Sequence, residues 1–157
     1  MLNRPHMWPT IKKILVPVDF SPCSRAALDL ALVFQQRFAA QLEVLHAWEA
    51  PAGADGMQVG TGGSLAQFLG GQAEEAMAAL QVELERRGTK DLHGTVVRGD
   101  PHRTIVDESK NFDLIVMGTH GRGGLQRLVV GSVAERVVRH AKCAVLTVGE
   151  RESKSAP

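Results

Sequence analysis

Short apolar runs alternate along the chain with longer segments in which apolar side chains recur every three or four positions. That alternation predicts strand–helix units repeated around a mostly parallel sheet. KILVPVD, Lys13 to Asp19, is the first predicted strand. Ser21 and Pro22 then supply a cap and a first-turn proline for a helix expected to turn Ala26, Leu30, Val33 and Phe34 inward. LEVLHAW, Leu42 to Trp48, is the second strand. The stretch from Ala50 to Ser64 is rich in Gly and Ala, has neither period, and is expected to be a mobile loop rather than a linker between domains.

Leu65, Leu69, Ala73, Ala76, Leu80 and Leu84 keep helical spacing up to Gly88, which predicts a long amphipathic helix with a glycine stop. DLHGTVVRG is a weaker third strand, and Asp100-Pro101 repeats the cap-plus-proline start for a helix reaching about Lys110. LIVMG, Leu114 to Gly118, is a near-continuous apolar run, as expected of a central parallel strand covered on both faces. Ser132 to His140 is the last predicted helix and CAVLTVG the last strand. Five strands in this order describe a single doubly wound α/β domain, in which ligands sit beyond the carboxyl ends of the strands where the strand order reverses.

Composition narrows the classes. With 18 basic and 17 acidic residues the net charge is +1, and there is no Tyr, so neither a basic field nor an aromatic platform argues for nucleic acid. No run reaches the roughly 20 apolar residues of a membrane span, MLNRPHMWPT lacks a signal-type apolar core, and the expected location is the cytoplasm. Cys23 and Cys143 belong to no CxxC pair. Cys143 is expected to be a core thiol and Cys23 a small residue at a helix start, while His46 is expected to be a hydrogen-bonded core imidazole rather than a metal ligand.

The segment GTHGRGGLQRLVVGS, Gly118 to Ser132, holds five glycines in fifteen residues, directly after the apolar fourth strand. Gly118, Gly121 and Gly131-Ser132 form GxxG, nine residues, GS. Glycine permits close approach of a ligand, and the free amides and dipole of a helix N-terminus attract anions, so Gly131, Ser132 and Val133 are candidates for holding phosphate, with Arg122 and Arg127 nearby in sequence. The competing reading is structural: Ser132 to Glu135 matches a capping box that needs no ligand. A Walker A loop is excluded because Gly124 stands where its lysine belongs, and no GxGxxG follows the first strand as a dinucleotide fold requires. No GxSxG elbow supports a hydrolase triad, and DFSPCS replaces the SGGxDS loop of adenylating PP-loop enzymes.

Three blocks in order, KKILVPVDFSPCSRAAL, VRGDPHRTIV and DLIVMGTHGRGGLQRLVVGSVAERVVRHAKCAVLTV, resemble the universal stress protein family from Ile11 to Val148. The glycine pattern is that of its nucleotide-binding branch. The resemblance implies a Rossmann-like five-stranded parallel sheet, order 3-2-1-4-5, with helices on both faces, over a domain at 11–149 flanked by flexible termini at 1–10 and 150–157. It also implies an ATP site in which Pro17, Val18 and Asp19 meet adenine and ribose, Ala47 touches adenine through its backbone, and Met117 and Gly118 line the ribose side. His120, Gly121 and Arg122 would begin the phosphate contacts and Gly131, Ser132 and Val133 would complete them, with Mg²⁺ or Mn²⁺ held mainly by phosphate oxygens. Asp19 is then a ligand contact, against the alternative of a helix cap for the segment beginning near Pro22.

A homodimer through the last strand, Cys143 to Val148, and a role as a nucleotide-dependent regulatory module without dedicated catalysis follow from the same resemblance. The rivals are a slow Mg-dependent ATPase and a nucleotide-free dimeric scaffold. Departures from the family pattern are the loop from Pro51 to Ser64 and Ser109, where a small alanine is usual.

Overall fold

The computed structural model describes residues 10–89, 92–119 and 131–149. Its strands are β1 (Lys13–Pro17), β2 (Gln41–Trp48), β3 (Leu92–Arg98), β4 (Leu114–Gly118) and β5 (Ala144–Val148). The helices α1 (Pro22–Phe38), α2 (Leu65–Arg86), α3 (Pro101–Glu108) and α4 (Ser132–His140) connect them, with one turn of 3₁₀ helix at Ser109–Asn111 after α3. All strand pairs are parallel and the order is β3-β2-β1-β4-β5, the doubly wound sheet that the alternation and the resemblance imply.

The central strands β1 and β4 are buried on both faces, because the helices divide between the two sides of the sheet. Ile14, Val16, Leu42, Val44, Leu114 and Val116 pack with Ala27, Leu28 and Ala31 of α1 and Met77, Leu80 and Leu84 of α2. Leu15, Leu45, Ile115 and Met117 pack on the other side with Ile105 of α3 and with Ala134 and Val137 of α4. Asp113 fixes the start of the central pair, its carboxylate accepting from the amides of Lys12 (2.8 Å) and Lys13 (2.9 Å).

The starts of α1 and α3 follow the caps expected from sequence. Ser21 caps α1 with Pro22 in the first turn, and Asp100 caps α3, accepting from the Arg103 amide at 2.8 Å. Helix α2 carries a full capping box, Ser64 with Gln67, and stops as Gly88 enters the left-handed region at φ 84°.

The inward face of α1 differs from the expected one. Cys23, Ser24, Ala27, Leu28 and Ala31 are buried, whereas Val33 is 50% exposed and Ala26, Leu30 and Phe34 lie at the margin. The small side chains Cys23, Ser24, Ala27 and Ala31 are among those facing the sheet, and the first turn of α1 lies close against the end of β4 at Cys23 and Ser24. In α2 likewise Ala66 and Met77 are buried while Leu65, Leu69 and Ala76 are half-buried.

Two departures from the family pattern have a local explanation. The stretch from Ala50 to Ser64 has its own hydrogen bonds, with Ala54 fully buried and the Leu65 and Ala66 amides donating to Met57 and Ala54 carbonyls. Asp55 in that loop is joined to Arg98 by two hydrogen bonds of 2.8 and 2.6 Å, and the guanidinium lies 5.7 Å from the Trp48 ring centroid. Ser109, fully buried, uses its hydroxyl to donate to the Val106 carbonyl and to accept from the Lys142 amide at 2.9 Å, tying the end of α3 to the approach to β5.

Candidate nucleotide site

The strand order reverses at β1, which pairs with β2 on one side and β4 on the other. Pro17 pairs with Leu45, and Leu15 with Ile115, so continuing these registers sets Pro17 level with Met117, Val18 with His46 and Gly118, and Asp19 with Ala47 and Thr119. The candidates at 17, 18, 19, 47, 117 and 118 therefore gather at the carboxyl ends of three adjacent strands. Side-chain alternation divides them. Met117 lies with Leu45 in the cluster under α3 and α4, and Pro17 and Ala47 share that side, whereas Val18 packs under α1 and α2.

Asp19 is no helix cap. Ser21 fills that place, its hydroxyl accepting from the Ser24 amide, while the Asp19 carboxylate accepts from the Ser21 amide at 3.0 Å and from the Ser21 hydroxyl. Burial alone would raise the Asp19 pKa, but hydrogen bonds from Ser21 and Ser24 outweigh it and hold the carboxyl below its ordinary value. The group is thus a fixed carboxylate at the mouth of the crevice.

Gly118 has a reason to be glycine that its sequence context did not reveal. A Cβ there would lie 2.8 Å from the Cys23 carbonyl carbon and 2.9 Å from the Ser24 nitrogen, so the end of β4 touches the backbone of α1. Cys23 is buried in that contact. Cys143 is half-buried; burial first, then the negative charge of Asp113, pushes its thiol pKa up, as befits a core thiol.

Helix α4 begins beside the same strand end. The Gly131 amide donates to the Thr119 carbonyl at 2.6 Å, a link no sequence pattern announced, and Gly131 itself is the N-cap. The capping box of the competing reading does not form. Ser132 stands one position inside the helix, no side chain caps the first turn, and the Glu135 carboxylate accepts instead from Arg139 at 2.9 Å. The first intrahelical bond runs from the Glu135 amide to the Gly131 carbonyl, so Ser132, Val133 and Ala134 carry the first-turn amides for which the helix itself provides no acceptor. The Gly131 amide, engaged with Thr119, is not among the donors facing outward from that turn.

His120, Gly121 and Arg122, with Arg127, lie outside the described residues. His46 is a hydrogen-bonded imidazole as expected, its Nδ1 2.7 Å from the Val18 carbonyl. Among the described residues no three His, Cys, Asp or Glu side chains are grouped to hold a metal ion, and no helix is long and apolar enough to cross a membrane.

Comparison with known proteins gives the arrangement a context. The profile of the universal stress protein family matches residues 10–149. A universal stress protein of Methanocaldococcus jannaschii is 34% identical over 139 residues, which cover 87% of this chain and 81% of the relative. The solved structure of universal stress protein UspA from Lactobacillus plantarum superposes with a TM-score of 0.72 at 31% identity, covering 88% of this chain and 97% of that one. An Arabidopsis thaliana family member solved with AMP bound shares the fold at a TM-score of 0.63 and 19% identity, over 93% of this chain and 95% of its own.

Proposed function

Since the chain belongs to the universal stress protein family, we propose that it is an ATP-binding member of it, a nucleotide-dependent regulatory module of the stress response. The observation that carries this reading is the start of α4. A helix N-terminus without a side-chain cap is tied through Gly131 and Thr119 to the end of β4, beside the switch point at β1, where an anionic ligand in a doubly wound sheet is held. The AMP complex of the Arabidopsis relative supports an adenine nucleotide as the ligand class.

In this reading Pro17, Val18, Asp19 and Ala47 take the adenine and ribose, Met117 and Gly118 close the ribose side, and the amides of Ser132 and Val133 take the terminal phosphates. Gly131 contributes by placing them. His120, Gly121 and Arg122 complete the phosphate contacts. Mg²⁺ or Mn²⁺ enters with the nucleotide and is held mainly by phosphate oxygens and water, which needs no carboxylate cage. Asp19, already engaged by Ser21, fits a ribose acceptor better than a metal ligand. The proposal includes a cytoplasmic homodimer through the last strand, Cys143 to Val148; β5 stands last in the sheet order, and Val145, Leu146 and Val148 keep partial exposure.

A native mass spectrum of the purified chain tests both parts. The expected result is a dimer that carries up to one adenine nucleotide per subunit when incubated with ATP and Mg²⁺. A spectrum with no nucleotide adduct at millimolar ATP overturns the ligand assignment, and a monomer at micromolar protein overturns the dimer.

A further inference from the structure

Side-chain alternation turns His46 away from Ala47 and its neighbours, to the side of α1 and α2, so the imidazole is not a contact of the proposed ligand. Its own contacts nevertheless lead into the site. Nδ1 lies 2.7 Å from the Val18 carbonyl oxygen. A carbonyl only accepts, so Nδ1 bears the hydrogen and donates it. The Val18 amide in turn donates to the Leu45 carbonyl at 2.8 Å. Both backbone polar groups of Val18 are therefore held by β2, one by its main chain and one by the His46 ring.

The residue two positions on is equally constrained. Phe20 has φ 62°, in the left-handed region that a bulky L side chain rarely adopts, and its ring centroid lies 4.7 Å from that of His46. An unfavourable backbone conformation of this kind persists only where its surroundings hold it. Here the left-handed step reverses the chain between Asp19 and Ser21, and that reversal is what brings the Ser21 amide and hydroxyl onto the Asp19 carboxylate. His46 thus touches the turn on both sides of Asp19, by a hydrogen bond before it and a ring contact after it.

We infer that His46 is a positioning residue for the nucleotide site, fixing the Val18–Asp19–Phe20 turn and with it the direction of the Asp19 carboxylate. The inference rests on the ATP reading for its effect on binding, and on the turn geometry alone for its effect on Ser21. Two substitutions of the full chain separate the hydrogen bond from mere packing. His46→Leu fills a similar space without a donor; His46→Asn places Nδ2 where Nδ1 stood and restores the bond to Val18. Both lose the ring contact with Phe20, so a purely structural role lowers the melting temperature of both alike and splits nothing else.

The expected result in equilibrium binding with ATP and Mg²⁺ is a Kd raised about tenfold by His46→Leu, the effect of one lost part-buried hydrogen bond, and returned to within about threefold of the parent by His46→Asn. Amide hydrogen exchange at Ser21, read without nucleotide, is expected to quicken in His46→Leu and to be restored in His46→Asn. Equal affinities for the parent and His46→Leu, or equal exchange at Ser21 in the two variants, overturn the inference. Failure of the parent to bind ATP overturns the ATP reading instead, and the Ser21 exchange then decides whether His46 holds the turn.

Discussion

Gly118 shows how one missing side chain serves two parts of the molecule. It ends β4 at the switch point, and its lack of a Cβ lets α1 lie against it. Because the atoms a Cβ would strike belong to the Cys23 and Ser24 backbone and to the Cys23 Cβ, nothing nearby can swing aside. Gly118→Ala is expected to cost about 1–3 kcal/mol in urea unfolding, the range for overpacking a close-packed contact. An unchanged midpoint would show that α1 can retreat without loss. Asp19 makes a prediction in pH. Its folded pKa lies below the ordinary 3.8, so the stabilisation from its hydrogen bonds is fully present above that value and is lost as the pH falls through the lower folded value. Asp19→Asn is therefore expected to be less stable than the parent near pH 6, with the gap closing as both are titrated below pH 3.8. A gap that stays constant down that range would contradict the bonding described for the carboxylate.

At the scale of elements, Ser64 and Ser132, both at helix starts, separate a cap from a candidate ligand contact. Ser64 is the N-cap of α2 and shares its capping box with Gln67, so Ser64→Ala is expected to destabilise the fold by about 1 kcal/mol. Ser132 is exposed and stands at the first helical position of α4, after the Gly131 cap. Ser132→Ala is expected to leave stability within about 0.5 kcal/mol of the parent while weakening ATP binding. Thermal denaturation of the pair checks this; a loss at Ser132 as large as that at Ser64 would restore the capping role. The one-residue shift of the cap explains why a matching sequence box failed. A serine already in helical conformation does not turn its hydroxyl onto the amide three residues ahead, and Glu135 is held by Arg139 one turn on.

For the whole molecule, the alternation of apolar runs and helical periods was enough to place the strands, because parallel strands buried on both faces leave uninterrupted apolar runs such as LIVMG. The caps at Ser21 and Asp100 were also foreshadowed locally, since capping depends on residues within one turn. The inward face of α1 was not fully legible, because its first turn, at Cys23 and Ser24, is set by a contact with Gly118 that lies far away in sequence. For the same reason the Thr119–Gly131 link and the His46–Phe20 pair were invisible in the chain: each joins segments that only the folded sheet brings together.

The central claim is that the amides opening α4 and the ends of β1, β2 and β4 receive one adenine nucleotide. Its most direct test is an amide NMR titration of the full chain with ATP and Mg²⁺. The account predicts saturable shifts, on a common binding curve, at Ser132, Val133, Asp19 and Ala47. Amides at these four positions that stay unmoved at millimolar ATP would contradict it.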